Sequence, residues 1–170
     1  MQWKALGFTV FAAFTAGSAA AAPVLMSDEW ARAACAAWNA DAVLPVKLHE
    51  SGWAANHKKR GHKVLRVART DCATSPPVEL RIEPRDGRAQ CVRGGVAQGE
   101  LDLDIDYRMS ADTRRWQEMG RGEYGPMRAM MFGRLSFDGP MGEAMGNMGP
   151  FESFLLLVGT VPGEAGSCPK

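Results

Sequence analysis

This chain carries very little net charge. It carries 20 Lys and Arg side chains against 19 Asp and Glu side chains, a formal charge of +1 at neutral pH. Lys4 lies in the leader described next, so the rest of the chain is close to neutral. Proteins that bind nucleic acid present a basic surface to the phosphates. The charge balance therefore argues against a nucleic-acid partner.

Long apolar runs are also scarce, and the clearest one stands at the start. Ala5 to Ala16 follows Lys4 and leads through small residues to Pro23. This pattern is typical of a secretory signal peptide, and the run is too short to span a bilayer. Because Pro directly after the cut should hinder the peptidase, we expect cleavage after Ala21. Residues 1–21 are then the signal peptide, and 22–170 form one periplasmic or secreted domain.

Cysteine is limited to four residues, all after the predicted cut. An even number of cysteines in an exported chain indicates two disulfides, for which three connectivities exist. We predict Cys72–Cys91, because Cys72 follows one predicted strand and Cys91 lies in a strand two along. We predict Cys35–Cys168, because Cys168 could pin the Pro/Gly-rich tail to the first helix. A metal site is the alternative, but the sequence has no C-x-x-C and no nearby histidine pair.

Sequence motifs of bond-making chemistry are missing. The chain has no G-x-S-x-G, no H-E-x-x-H and no P-loop, and it has no G-x-G-x-x-G between a predicted strand and a helix, as a dinucleotide-binding fingerprint requires. Cysteines held in disulfides could not act as nucleophiles. We therefore predict a protein that is not an enzyme and that needs no cofactor.

Methionine, by contrast, is concentrated in one segment, residues 124–158, which holds six of the chain's ten. Met141, Met145 and Met148 form one helical stripe beside a parallel stripe of glycines. Flexible methionine side chains adapt to irregular apolar shapes, whether a protein core or a hydrophobic ligand. Thioethers can also bind copper(I), but the three histidines lie far away in the sequence. Core filling stays open as the alternative for any single methionine.

Periodicity predicts an α+β fold. Ser27 caps a first helix that ends near Asn39 or Ala40, and Asp86-Gly87 predicts a hairpin turn. We expect a five-stranded, twisted, mostly antiparallel sheet covered by helices. The predicted strands are 64–69, 78–83, 88–92, 101–107 and 134–138. The other predicted helices are 43–51, 111–119 with Ser110 as cap, 126–133, and a closing helix from Pro140 interrupted at Gly149-Pro150.

Two charged clusters have simple explanations. Asp102, Asp104 and Asp106 begin like a calcium loop, but Tyr107 stands where the sharp turn needs glycine. We interpret them as the solvated face of a strand, pairing across the sheet with Arg66 or Arg81. The basic loop His57–Lys63 is interpreted as solvated, with transient contact to anionic lipid as the functional alternative.

The segment Met131-Phe132-Gly133-Arg134-Leu135-Ser136-Phe137-Asp138-Gly139-Pro140-Met141-Gly142-Glu143-Ala144-Met145 resembles the last strand and closing helix of the sterol carrier protein type 2 domain family. The family pattern there is roughly F-x-G-K-L-x-I-x-G-x-M-x-x-A-M. The resemblance covers about residues 26–158 and leaves 159–170 as a Pro/Gly-rich tail. Unlike common family members, this chain is predicted to be exported and disulfide-bonded.

The resemblance implies a hydrophobic tunnel between sheet and helices that binds sterols, fatty acyl chains or other lipids without catalysis. It implies that Phe132, Leu135, Phe137, Met141 and Met145 line or border the cavity. With the rest of the Met/Phe-rich segment, the predicted ligand-binding residues are Met127, Met130, Met131, Phe132, Leu135, Phe137, Met141, Met145, Met148, Phe151, Phe154 and Leu155. The alternative function is an accessory module that binds a partner protein through the Phe151–Val158 surface.

Overall fold

A computed structural model describes residues 21–170, and the predicted signal peptide lies outside this range except for its last residue. The helices are α1 (Asp28–Ala40), α2 (Leu44–Glu50), a 3₁₀ helix (Trp53–Ala55), α3 (Thr113–Gly120), α4 (Pro126–Met131), α5 (Met141–Gly146) and α6 (Met148–Thr160). The strands are β1 (Lys63–Arg69), β2 (Val78–Arg85), β3 (Arg88–Val96), β4 (Tyr107–Ala111) and β5 (Ser136–Asp138). Of the helices in this range, none combines the length and apolar character that crossing a bilayer requires.

The five strands form one sheet in the order β3-β2-β1-β4-β5. Neighbouring strands pair antiparallel except β1 and β4, which run parallel. The hairpin between β2 and β3 turns at Asp86-Gly87, where both residues have positive φ, as the sequence predicts. The α+β class and the mostly antiparallel sheet are therefore confirmed.

Helix α1 packs against β3. The Ser27 side chain accepts a hydrogen bond from the Trp30 amide, which caps the helix as predicted. Trp30 and Trp38 are buried on its inner face. A side chain at Gly94 of β3 would collide with the backbone of Ala31, so a glycine there lets the helix approach the strand closely.

The predicted disulfide pairing is wrong: the bonds join Cys35 to Cys91 and Cys72 to Cys168. Strand β2 lies between β1 and β3, which puts Cys72 and Cys91 on opposite sides of a strand and out of bonding reach. Cys35 and Cys91 meet where α1 crosses β3, with Cα atoms 5.4 Å apart. The tail returns to the end of β1 because the Arg69 guanidinium donates to the carbonyls of Ala165 and Ser167.

The strand predicted at 101–107 is wrong as well, because residues 101–106 form a turn and β4 begins at Tyr107. The Asp106 carboxylate accepts hydrogen bonds from the amides of Asp102 (3.0 Å) and Val64 (2.8 Å). Aspartate side chains that capture backbone amides in this way compete with strand pairing. The alternating aliphatic residues therefore do not lie on a sheet face, and Leu103 is exposed.

Two helix ends also differ from the predictions. Ser110 lies in β4, and Asp112 caps α3 by accepting a hydrogen bond from the Arg115 amide. The closing helix breaks at Asn147 instead of Gly149-Pro150. Pro150 sits in the first turn of α6, where a missing amide hydrogen costs nothing.

Candidate functional site: an apolar groove between α4 and α6

An open groove of about 340 Å³ lies between helices α4 and α6. Its lining is mostly apolar, with one cation and one carboxylate among the residues described there. This volume falls at the lower end of the range of about 300–1,000 Å³ that is usual for small-molecule sites. The lining residues are Gly125, Pro126, Met127, Arg128, Met131, Phe132, Met148, Gly149 and Glu152.

Local sequence explains why the groove exists. Pro126 suits the first turn of α4, and Gly133, with φ of +62°, ends the helix after two turns. The chain turns back at that point, so Met131 and Phe132 stay 71% and 63% exposed at the rim. On the opposite wall, a Cβ on Gly149 would meet only open space. The groove therefore has room that larger side chains would fill.

The predicted ligand-binding residues separate into distinct environments. Met127, Met131, Phe132 and Met148 line the groove. Leu135, Phe151, Phe154 and Leu155 are buried in the core, while Met130 and Phe137 are partly buried against it. Met141 and Met145 are exposed on α5 and are not among the groove's lining residues. The structure thus brings four of the twelve residues together.

An aromatic cluster occupies the space between the sheet and α6. Trp53 lies 5.8 Å from Tyr107 and 5.9 Å from Phe151, both edge to face, and Trp38 contacts Phe154 in the same way. Trp53, Trp38 and Tyr107 are fully buried. The predicted tunnel lies between the sheet and the helices, and these aromatic side chains occupy part of that space.

A buried ion pair that the sequence pattern does not predict fastens α5 to the sheet. The Lys63 ammonium is inaccessible to solvent, faces the Glu143 carboxylate, and lies 4.4 Å from the centre of the Trp53 ring. Tyr107 donates a hydrogen bond to the same carboxylate (2.9 Å), and Asn56 donates to its other oxygen (2.6 Å). Burial lowers the pKa of Lys63, while its hydrogen bond to Glu143 opposes that shift. The available sequence signal was Lys63 as the first residue of β1, directly before the apolar pair Val64-Leu65.

The basic loop His57–Lys63 and the aspartates of the 101–106 turn form ion pairs with each other. Lys58 donates to Asp102 (2.9 Å) and Asp104 (2.6 Å), and Arg60 donates to the buried Asp106 (2.8 Å). The predicted pairing of these aspartates with Arg66 or Arg81 is therefore wrong, because the 101–106 turn places them beside the loop. Arg66 instead pairs with Glu79. Across residues 21–170 we find no cluster of His, Cys, Asp or Glu suited to a metal ion.

Comparison with known proteins gives a consistent picture. A family model for the SCP-2 sterol transfer family matches residues 23–152. A crystal structure of sterol carrier protein 2 is 21% identical, with 81% of this chain and 98% of that chain covered and a TM-score of 0.55. A solution structure of a conserved hypothetical protein from Thermus thermophilus, described as a candidate sterol carrier protein, is 20% identical. It covers 85% of this chain and 94% of that chain, with a TM-score of 0.52. At these identities the structures show a shared fold, and no curated protein sequence matches the chain.

Proposed function

Because the chain belongs to the SCP-2 sterol transfer family, we propose that it carries one hydrophobic molecule in the groove between α4 and α6. The ligand class is a sterol, a steroid, a fatty acyl chain or another lipid. The observation that carries the proposal is the groove itself, whose walls are thioether and aromatic side chains left open to solvent. Burial of an apolar ligand there would contribute about 25 cal/mol per Å² of apolar surface.

The chemistry of the groove favours binding over catalysis. Arg128 and Glu152 are the charged side chains among its lining residues, and both are exposed at the surface. In that position they can contact a polar end of the ligand and set its orientation. The released ligand would be chemically unchanged.

We propose export to the periplasm or beyond the cell as the setting. Two disulfides fit an oxidising compartment, and the leader predicted at residues 1–21 fits secretion.

The predicted lipid contact through the His57–Lys63 loop is expected to be weak. Three of its four Lys and Arg side chains are held by carboxylates, which leaves the exposed Lys59 for a lipid head group.

The alternative function, an accessory module using the Phe151–Val158 surface, has less support. Five of those eight residues are buried in the core. Leu156 is the large apolar side chain that this segment exposes. A partner would therefore meet little of the apolar surface that the alternative requires.

Filling the groove tests the carrier proposal. Met148 lines the groove, so Met148→Trp should reduce uptake of a fluorescent fatty acid at least tenfold while the protein stays folded. Met145→Trp is the matched control, because Met145 is exposed outside the groove and its variant should bind like the parent protein.

Extraction of the gently purified native protein followed by mass spectrometry would name the ligand. A stoichiometric apolar compound is the expected result. Equal uptake by both tryptophan variants would place the ligand elsewhere. A parent protein that is empty and takes up neither fatty acid nor fluorescent sterol would refute the carrier function.

A further inference from the structure

We propose that α4 and the turn that follows it dock the protein on an anionic lipid surface. This docking turn comprises residues 127–134, and the inference rests on the proposed function, because a lipid carrier must exchange its ligand with a lipid phase. Met131 and Phe132 are the two most exposed large apolar side chains among residues 21–170. Exposed apolar side chains grouped in this way mark interaction sites in soluble proteins.

Backbone hydrogen bonds hold the docking turn in shape. The Phe132 amide donates to the Arg128 carbonyl (3.2 Å), and the amides of Arg134 and Leu135 both donate to the Ala129 carbonyl (2.8 and 3.1 Å). Leu135 is buried directly after the turn and anchors it to the core. The exposed side chains therefore project from a fixed support and need little ordering when they bind.

Charge indicates what the docking turn binds. Of the 19 Lys and Arg side chains between residues 21 and 170, 13 form an ion pair, and two of the other six, Arg128 and Arg134, lie together in the docking turn. Arg134 stacks on the Tyr124 ring at 4.5 Å and lies 6.0 Å from the Phe132 ring. Glu152, on the opposite wall of the groove, is the opposing charge. Two arginines beside inserted apolar side chains match anionic head groups above a hydrocarbon phase.

The position of the docking turn favours a membrane over a second protein. Met131 and Phe132 are also lining residues of the groove, so a lipid could pass from a bilayer into the groove without crossing water. A stable protein interface needs about 20–30 residues on each side. The docking turn offers eight residues in a narrow projection, which suits insertion into a lipid surface better than a flat contact.

Vesicle co-sedimentation tests the proposal. The probes are vesicles of phosphatidylcholine alone and of phosphatidylcholine with phosphatidylglycerol. The parent protein should bind the anionic vesicles more tightly, with binding that weakens as salt rises. Phe132→Ser should lower binding to both vesicle types at least tenfold. Arg128→Gln/Arg134→Gln should lower binding to the anionic vesicles alone, on the order of tenfold.

Matched controls separate the docking turn from the rest of the surface. Leu103→Ser and Lys47→Gln change an exposed apolar residue and an exposed lysine elsewhere, and both variants should bind like the parent protein. Thermal unfolding checks that every variant is folded. Fatty acid uptake from solution, without vesicles, measures the carrier function separately.

Two results would overturn the inference without touching the proposed function. One is normal uptake from solution by a parent protein that binds neither vesicle. The other is a concentration-dependent dimer in sedimentation velocity that Phe132→Ser abolishes, which would assign the docking turn to a second copy of the chain. A parent protein that takes up no ligand would refute the proposed function whatever the vesicles show.

Discussion

Replacing Glu143 with glutamine should destabilise the protein through a single buried charge. Lys63 is fully buried, and Glu143 is the carboxylate that faces it within ion-pair distance among the described residues. Glu143→Gln keeps the size of the side chain and an oxygen that can accept from Tyr107, but it leaves the ammonium without a counter-charge. Breaking a buried ion pair costs about 3–5 kcal/mol. Because the Glu143 side chain is 17% exposed, we expect the low end, about 3 kcal/mol.

The pH dependence of the deficit gives a second readout. Burial lowers the pKa of Lys63 below that of an unfolded lysine, about 10.4. Between those two pKa values the unfolded chain binds more protons, so the free energy of unfolding rises with pH. Loss of Glu143 lowers the pKa of Lys63 in the folded protein further, so the pH range in which the free energy of unfolding rises extends to lower pH. The deficit of Glu143→Gln relative to the parent should therefore shrink as the pH rises towards the pKa of an unfolded lysine.

Urea unfolding followed by tryptophan fluorescence measures both effects, since Trp53 lies against the ammonium. The control is Lys63→Met/Glu143→Leu, which removes both charges and should return to within about 1.5 kcal/mol of the parent protein. A loss below about 1 kcal/mol for Glu143→Gln would mean that water reaches the ammonium and would refute the reasoning. A deficit independent of pH would refute it as well.

Two further predictions concern packing and connectivity. Gly159→Ala should lower the free energy of unfolding by about 1–3 kcal/mol, because the added Cβ would collide with the α3 backbone. At Gly142 an added Cβ would meet only open space, so Gly142→Ala should be neutral or should stabilise the protein by up to about 1 kcal/mol in the same urea unfolding assay. Digestion of the unreduced protein and mass spectrometry should find Cys35 linked to Cys91, and the peptide that contains Cys72 linked to the C-terminal tail. A peptide linking Cys72 to Cys91 would contradict the structure.

Local sequence patterns predicted the helices and strands that are determined by residues close together in the sequence. The Ser27 cap was enough to place the start of α1, and the strand predicted at 78–83 with Asp86-Gly87 was enough to place the hairpin. The disulfides failed because pairing depends on strand order, which no single segment contains. The strand at 101–107 failed because Asp106 captures backbone amides, although the apolar alternation alone favours a strand.

The candidate site was predictable in composition but not in exposure. The Met/Phe-rich segment supplies both walls of the groove, yet Met131 is 71% exposed while Leu135, four residues later, is 4% exposed. Met131 and Leu135 differ in exposure because the chain turns at Gly133, between them. Both side chains are hydrophobic, so hydrophobicity alone does not distinguish them. Lys63 was missed for the opposite reason, because a lysine at a strand end is normally solvated.

The molecule separates stability from binding in space. Both disulfides, Trp30 and Trp38 lie on or near the part of the sheet formed by β1, β2 and β3. The groove lies between α4 and α6, and the docking turn leads into β5, the strand at the other edge. Each large apolar side chain left in water forgoes about 1.5–3 kcal/mol of burial energy. A domain can retain such residues only if its stability comes from elsewhere, here from cross-linked and aromatic packing. Side chains at the groove can therefore stay exposed and adaptable, as the proposed carrier function requires.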